Sequence, residues 1–423
     1  MRIELIAVGD ELLLGFVIDT NTAHIARMLA AEGITVVRRS TVPDDREAIV
    51  AAVREALERT GAVITTGGLG PTSDDLTIPS IAAAFGRELV LDEAVLAGIE
   101  ARFRALGYKN KMPVGNRQQA MLPVGGRVLH NHYGSAPGVW VEDDRGRWVA
   151  TLPGVPREMR GMLADTLLPL VRERLAKSGA PATVVRSRTL RTTGIGESAL
   201  AESLGEIGRG FPGMPLAYNP KWQGTDLRLT VTGVSAAEAD VRLDDAIRQL
   251  LAVCGKYVYG EDQADLAAVV LDGLRARGWR LATAESCTGG LLGARVTAIP
   301  GSSAVYVGGI VAYDNAVKIR ELGVPGDVID EHGAVSEAVA RSMAEGICAR
   351  FGAEVGIGIT GVAGPGGGTA EKPVGLVWIG LSIDGRVRTL GRNYVGDREE
   401  IRLRATQAAL DVVRQELGEH RGD

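Results

Sequence analysis

Cysteine, histidine and lysine are scarce in this chain, and each scarcity removes a class of chemistry. Three cysteines (Cys254, Cys287, Cys348), odd in number and far apart, exclude a disulfide framework and any paired-cysteine zinc site. Of the five histidines, only His332 and His420 fall beyond residue 260. His332 in "IDEHGAVSEA" reads as part of a turn before a Ser336-capped helix, and His420 lies in the charged tail "GEHRGD". A Cys-His pair or a Ser-His-Asp triad is therefore poorly supplied in that half. Lysine is rarer still there, with Lys318 and Lys372 alone past residue 260.

No basic block occurs and the net charge is −5, which argues against nucleic acid or an anionic membrane held by bulk electrostatics. The long uncharged run "VGIGITGVAGPGGGTA" is glycine-rich and broken by proline, so it is no spanning helix. The opening "MRIELIAVGDE" reads as a strand and loop, not as a signal peptide. A reducing cytoplasm is the expected location. At 423 residues, with 45% hydrophobic and 23% charged residues, the chain is globular and too long for one core.

The expected fold class is α/β: two α/β domains with mainly parallel sheets flanked by helices, joined by a small α+β module. In residues 1–170, "RIELIAVG", "ITVVRRST" and "AVITTGG" read as strands. "NTAHIARMLAAEG" places Ile25, Met28 and Leu29 on one helical face. A second helix is expected to start at Asp44, with Glu47 three residues on as a capping box. Such alternation predicts right-handed crossovers and ligands at the carboxyl ends of strands. Residues 171–258 read as the α+β module, a spacer or homodimer-forming element in which Arg191, Tyr218, Asn219 and Lys221 form no catalytic constellation. Residues 259–423 form the second α/β unit, with strands at "WRLATAES", "SAVYVGGIVAY", "EVGIGITG" and "VGLVWIGLSI". The glycines of "GITGVAGPGGGTAEKPVG" predict a mobile loop close to a ligand.

Two loops of the first unit carry chemistry. Asp10 and Glu11 follow one strand, and Asp74 and Asp75 follow the loop "TTGGLGPTSDD". Four converging carboxylates repel unless a proton or cation compensates, and an oxygen-only set suits a divalent magnesium, manganese or cobalt ion. The amides of Gly67, Gly68 and Gly70 are placed to cradle phosphate. Taken singly, Asp10 and Asp74 read equally as turn and cap residues.

The stretches "AVGDELLLGFVIDTNTAHIA", "TTGGLGPTSDDLT", "GNRQQAMLP", "SAPGVW" and "LPGVPREM" together resemble the N-terminal domain of CinA proteins, which is related to the molybdopterin-binding fold. The resemblance implies metal-dependent ADP-ribose pyrophosphatase activity. It further implies that Asp10, Glu11, Asp74 and Asp75 lie near metal and diphosphate, with Asn116, Arg117 and Gln118 beside them. A cation would acidify the attacking water and neutralise the phosphoryl oxygens. A pterin- or nucleotide-binding domain without turnover is the alternative.

In the second unit "AESCTGG" offers three readings: Cys287 as nucleophile, Ser286 as nucleophile, or Ser286 as the cap of the following helix. In the cap reading, the helix amides would point toward the serine and serve an oxyanion. Lys318 in "VAYDNAVKIRELGV" reads either as a desolvated general base or as a solvated surface residue. The segments "AESCTGGLLGARVTAIPGSSAVYVGGIVAYDNAVKIRELGV" and "GITGVAGPGGGTAEKPVGLVWIG" look like the C-terminal domain of CinA, a nicotinamide-nucleotide (NMN) amidase. That resemblance implies Ser286 as nucleophile and Lys318 as its base, with Tyr313 and Thr360 assisting, and no cofactor. Gly289, Gly290, Arg295, Gly361 and Gly364 are then candidates for holding substrate. The combined expectation is a bifunctional hydrolase of pyridine-nucleotide metabolism acting on NMN and ADP-ribose.

Overall fold

The computed structural model describes residues 1–105, 107, 112–177 and 183–419; His420 lies outside them. Two compact units emerge, one formed by residues 1–186 with 231–240, the other by 187–230 with 241–423.

The first unit runs β1 (Arg2–Val8), α1 (Asp10–Leu13), α2 (Asn21–Ala31), β2 (Thr35–Val42), α3 (Arg46–Thr60), β3 (Ala62–Thr66), α4 (Thr77–Ala84), β4 (Leu89–Leu91), α5 (Glu93–Ala105), β5 (Met121–Pro123), β6 (Arg127–Leu129), β7 (Gly138–Glu142), β8 (Trp148–Leu152), α6 (Pro156–Met162) and α7 (Leu168–Lys177). The main sheet has the order β2-β1-β3-β8-β7-β6, parallel from β2 to β8 and antiparallel beyond. β1 is buried along almost its whole length, as a strand covered on both faces must be. Ile25 and Leu29 of α2 pack on one face of the sheet, and Ile49, Val53 and Leu57 of α3 on the other. The chain leaves β1 for β2 on one side and returns to β3 on the other. The carboxyl end of β1 is therefore a switch point, where the diverging loops leave a crevice.

The α+β module comprises β9 (Val184–Thr192), α8 (Glu197–Leu204), β10 (Gly210–Phe211), β11 (Met214–Lys221), β12 (Gly224–Val234), α9 (Ala236–Cys254) and β13 (Val258–Glu261), with sheet order β10-β11-β12-β9-β13. The basic candidates here are spent inside the module. Arg191 and Lys221 both pair with the buried Asp226, at 3.1 and 2.9 Å.

The remaining elements are α10 (Leu266–Arg275), β14 (Leu281–Glu285), α11 (Leu291–Thr297), β15 (Tyr306–Val311), α12 (Asn315–Leu322), α13 (Gly326–His332), α14 (Glu337–Phe351), β16 (Val355–Gly361), β17 (Leu376–Ile383), β18 (Arg386–Asn393) and α15 (Arg398–Glu419). The sheet order is β15-β14-β16-β17-β18, with β15, β14 and β16 parallel and the last two antiparallel. Again the central strand, β14, has its successor on one side and the returning strand on the other. Ser286 sits at that second switch point. β18 and α13 were not anticipated, and His332 ends α13 instead of lying in a turn. No helix among the described residues is long and apolar enough to cross a membrane.

Candidate active sites

At the β1 switch point the glycine loop is fixed by close approach. Gly67 has φ 105°, and a Cβ added there would lie 2.1 Å from the Val8 carbonyl oxygen. Gly68 has φ 64°, and its Cβ would meet the Thr77 hydroxyl at 2.4 Å. Glycine at both positions is what lets the loop lie against β1. Asp75 closes the loop from within: its carboxylate accepts from the Gly70 amide at 2.6 Å and the Thr72 amide at 2.8 Å, and from the Thr72 hydroxyl. The Gly70 amide is thereby committed to Asp75, not left free for a phosphate.

A cavity of about 260 Å³ opens between this loop and α1, lined by Glu11, Asp19, Asn21, Asp44, Asp74 and Asp75 among others. Asp44 is the acid that sequence reading misassigned. Asp45 caps α3, accepting from the Ala48 amide at 2.9 Å. Asp44 instead accepts from the Asp10 amide at 3.0 Å, while the Asp44 amide reaches back to the Asp10 carboxylate at 3.4 Å. Adjacent aspartates look alike as caps, and only the direction of the chain separates them. Burial raises the Asp44 carboxyl above its ordinary range, and the nearby charges of Asp10, Glu11 and Asp74 push the same way. Asn21 is also new: its amide nitrogen is fixed on Thr66 Oγ1 (3.1 Å) and the Gly154 carbonyl (2.7 Å), leaving its buried Oδ1 unpartnered.

Asn116, Arg117 and Gln118 do not line this cavity. Gln118 donates to the Thr72 carbonyl at 2.9 Å, and Gln119 to the Leu69 carbonyl at 3.1 Å. Asn116 is buried and donates to Gln119 at 2.9 Å. These side chains brace the back of the glycine loop, while Arg117 is exposed. Among the described residues no three acids, cysteines or histidines group closely enough to hold a metal by themselves.

At the second switch point, Ser286 follows β14 and its amide donates to the Ile359 carbonyl of β16 at 2.9 Å. On the other side the Ala312 amide donates to the Glu285 carbonyl at 2.8 Å. The parallel register therefore brings Thr360 on β16 and Tyr313 just past β15 to either flank of the serine. Thr360 is buried, and its hydroxyl is tied to the Ala334 carbonyl at 2.7 Å.

Lys318 is the outlier of this domain: only 1% exposed, inside the first turns of α12. The solvated-surface reading is overturned. Its Nζ donates to the Tyr313 carbonyl at 3.2 Å and to Asn315 Oδ1 at 3.5 Å. Burial lowers its pKa, with the Asp314 carboxylate acting in the opposite direction. The Tyr313 carbonyl that holds the amine lies just past β15, beside the strand that leads into Ser286. Cys287 itself is 6% exposed, and burial pushes its thiol up to about 12. It is a packed thiol and not a thiolate.

Ser286 is not a helix cap. The turn continues through Gly289 and Gly290, both at positive φ, and α11 begins only at Leu291. Glu285, 2% exposed, takes the helix amides instead, accepting from Leu292 at 3.0 Å and Gly293 at 2.8 Å. Those two amides are thus unavailable to an oxyanion at the serine. Glu285 was read only as a strand residue, because a cap reaching forward across a glycine turn leaves no fixed spacing.

Arg295 holds structure together: it donates to Thr406 Oγ1 (2.9 Å) and Gln407 Oε1 (2.8 Å) and lies 5.2 Å from the Trp222 ring centroid. Two other arginines, both missed, meet the serine's surroundings. Arg398 donates to the Tyr313 hydroxyl at 3.1 Å and to the Gly364 carbonyl at 2.7 Å. Arg402 donates to the Thr288 carbonyl at 2.7 Å. With Leu291 they border a cavity of about 280 Å³. They lie over 100 residues from Ser286 on α15, and nothing local marks them.

The 361–375 loop is tied down. Besides the Arg398 contact, Thr369 accepts from the Lys372 amide at 3.0 Å, and Lys372 Nζ reaches the His332 carbonyl at 2.5 Å. Gly361 is a ladder residue whose added Cβ would lie 2.7 Å from the Leu376 carbonyl oxygen.

Comparison with known proteins finds three successive matches along the chain. Residues 4–173 match the family described as "Probable molybdopterin binding domain", residues 187–260 the "Damage-inducible protein CinA KH domain", and residues 263–417 the "CinA C-terminal domain". A CinA-like protein of Gemmatimonas aurantiaca is 58% identical over 423 residues, covering 100% of this chain and 98% of the relative. A CinA-like protein of Synechococcus is 47% identical over 380 residues, covering 90% and 89%. Among solved structures, a CinA superfamily protein of Klebsiella pneumoniae shares 38% identity, covers 36% of this chain and 96% of its own, and has a TM-score of 0.36.

Proposed function

The chain belongs to the CinA family, and on that premise we propose that its C-terminal domain is a serine amidohydrolase deamidating NMN to nicotinate mononucleotide and ammonia. The observation that carries this reading is the burial of Lys318, an amine with a lowered pKa held by the Tyr313 carbonyl at the strand end that flanks Ser286.

A neutral Lys318 amine takes the Ser286 hydroxyl proton as Oγ bonds to the carboxamide carbon. The tetrahedral centre collapses by breaking the C–N bond, and the proton passes to the departing nitrogen, which leaves as ammonia. Water then adds to the acyl ester, breaks the C–Oγ bond and returns the hydroxyl. Tyr313, whose carbonyl holds Lys318 and whose hydroxyl is held by Arg398, positions the base. Arg398 and Arg402 are the cations placed to meet the nucleotide phosphate.

For the N-terminal domain we propose hydrolysis of ADP-ribose to AMP and ribose 5-phosphate with a divalent cation. The donor set fits a hard cation: oxygen atoms only, a carboxyl on Asp44 raised by burial and crowding, and the orphaned Asn21 Oδ1. With no three acids grouped for a metal among the described residues, Glu11, Asp44 and Asp74 are read as contributing only part of its shell, the diphosphate oxygens the rest. The cation when bound supplies charge neutralisation and acidifies water. The Gly67 amide is spent on the Leu152 carbonyl at 3.1 Å, so the chain's own residues orient the diphosphate through the Gly68 backbone. A pterin- or nucleotide-binding role without turnover is the competing reading.

The experiment is product analysis of the full chain with NMN and with ADP-ribose, each with and without chelator. Ammonia from NMN regardless of chelator, and AMP only without it, are expected. No ammonia under any condition would overturn the first assignment, and no AMP with any divalent ion the second.

A further inference from the structure

A larger cavity than either candidate active site, about 500 Å³, lies within the second unit, between the α+β module and the face of the C-terminal sheet formed by β18 and α15. One wall is the segment 193–197 and the β11–β12 hairpin around Trp222, the other Arg392, Tyr394, Arg404 and their neighbours. Neither proposed reaction uses it.

Its polar groups are conspicuous for what they lack. Tyr394 Oη, Arg404 Nε and Gln223 Oε1 are all buried without a hydrogen-bond partner. Three such atoms around one cavity are costly to leave bare and mark the place where a partner belongs. Two are donors and one an acceptor, so the missing partner both accepts and donates.

The charges point the same way. Arg388 of the lining is neutralised by Glu416 at 2.8 Å and Lys221 by Asp226 at 2.9 Å. Arg392 and Arg404 have no ion-pair partner among the described residues, and both lie close enough to Tyr394 to affect its ionisation. The acids of the lining are Asp411, held by Arg414 at 2.7 Å, and the solvent-exposed Glu197. Two uncompensated guanidinium groups match a phosphate monoester, which carries nearly two negative charges at neutral pH. The volume exceeds what inorganic phosphate fills and suits a small organic ligand.

We propose that this cavity is a further ligand site, taking a hydroxylated phosphate monoester of sugar-phosphate to mononucleotide size. Arg392, Arg404 and Tyr394 hold the phosphate and Gln223 accepts from a ligand hydroxyl.

The test uses the full-length protein and the emission of Trp222, which lines the cavity. Titration with ribose 5-phosphate and with AMP should give a saturable change that disappears in Trp222→Phe. Equal affinity for both ligands assigns recognition to the sugar phosphate; tighter AMP assigns part of it to the base. In Arg404→Met and in Arg392→Gln, a surface change that leaves the core intact, affinity should fall at least tenfold. Ser286→Ala should bind as the parent does. No saturable Trp222-dependent signal with either ligand, or undiminished affinity in both arginine variants, would overturn the proposal.

Discussion

The amine of Lys318 donates to the main-chain oxygen of Tyr313 at 3.2 Å, so the proposed base is anchored by the backbone and not by a carboxylate. A carbonyl orients the amine without the full charge that would hold it protonated. The depressed pKa follows from burial.

The first prediction is a pH profile. Only the neutral amine accepts a proton, so NMN deamidation should rise with pH through an apparent pKa below 10.5, the ordinary lysine value. Lys318→Met should lower kcat by about 10²–10⁴, and Lys318→Arg, which stays protonated, should do no better. Ammonia release across pH measures both.

Replacing Lys318 should move stability and activity in opposite senses. Below the folded-state pKa the buried ammonium costs stability in full; between that pKa and 10.5 folding must still deprotonate a lysine that is charged in the unfolded chain, and the cost shrinks as pH rises. Lys318→Met should therefore stabilise the domain by about 1 kcal/mol at neutral pH, with the gain shrinking toward pH 10. Urea unfolding at two pH values checks the sign.

Cys287 and Ser286 should separate cleanly. With its thiol pushed up to about 12, Cys287 should resist iodoacetamide at neutral pH, and Cys287→Ala should retain deamidation. Ser286→Ala should abolish it. Retained activity in Ser286→Ala together with loss in Cys287→Ala would reverse the assignment.

Glu285→Gln tests the forward-reaching cap. The variant places an NH₂ group where a carboxylate oxygen now accepts an amide, and should destabilise by about 1–3 kcal/mol. Lower thermal stability with little change in KM is the expected pattern.

At the other site, Asp44→Asn should separate folding from turnover. The raised carboxyl pKa means that the cost to stability builds up as pH rises from 3.8 to the folded value, is full above it, and vanishes below 3.8. The amide removes this cost, so the variant should be at least as stable at neutral pH while AMP release falls. Thermal unfolding and product analysis on the same sample decide it.

Much of this was readable before any coordinates. The β1, β3, β14 and β16 strands announce themselves as apolar runs ending in glycine or small polar residues. The caps at Asp45 and Ser336 fall within one residue of their expected places. β18 was missed because "RVRTLGRN" carries three arginines in eight residues, the pattern of an edge strand with a solvated face. α13 was hidden in a seven-residue span too short for helical periodicity to register.

By itself the sequence determined the local grammar: which runs form strands, where glycine permits the chain to turn, and that Ser286 and Lys318 stand near strand ends. These follow from side-chain periodicity and backbone freedom, which act over a few residues. Only the tertiary structure decided what those residues face. Parallel register set Ser286 between β15 and β16, and packing of α12 stripped water from Lys318. The return of α15 brought Arg398 to Tyr313 from 85 residues away. Desolvation and charge proximity depend on distance in space, and a crossover fold separates that distance from distance along the chain.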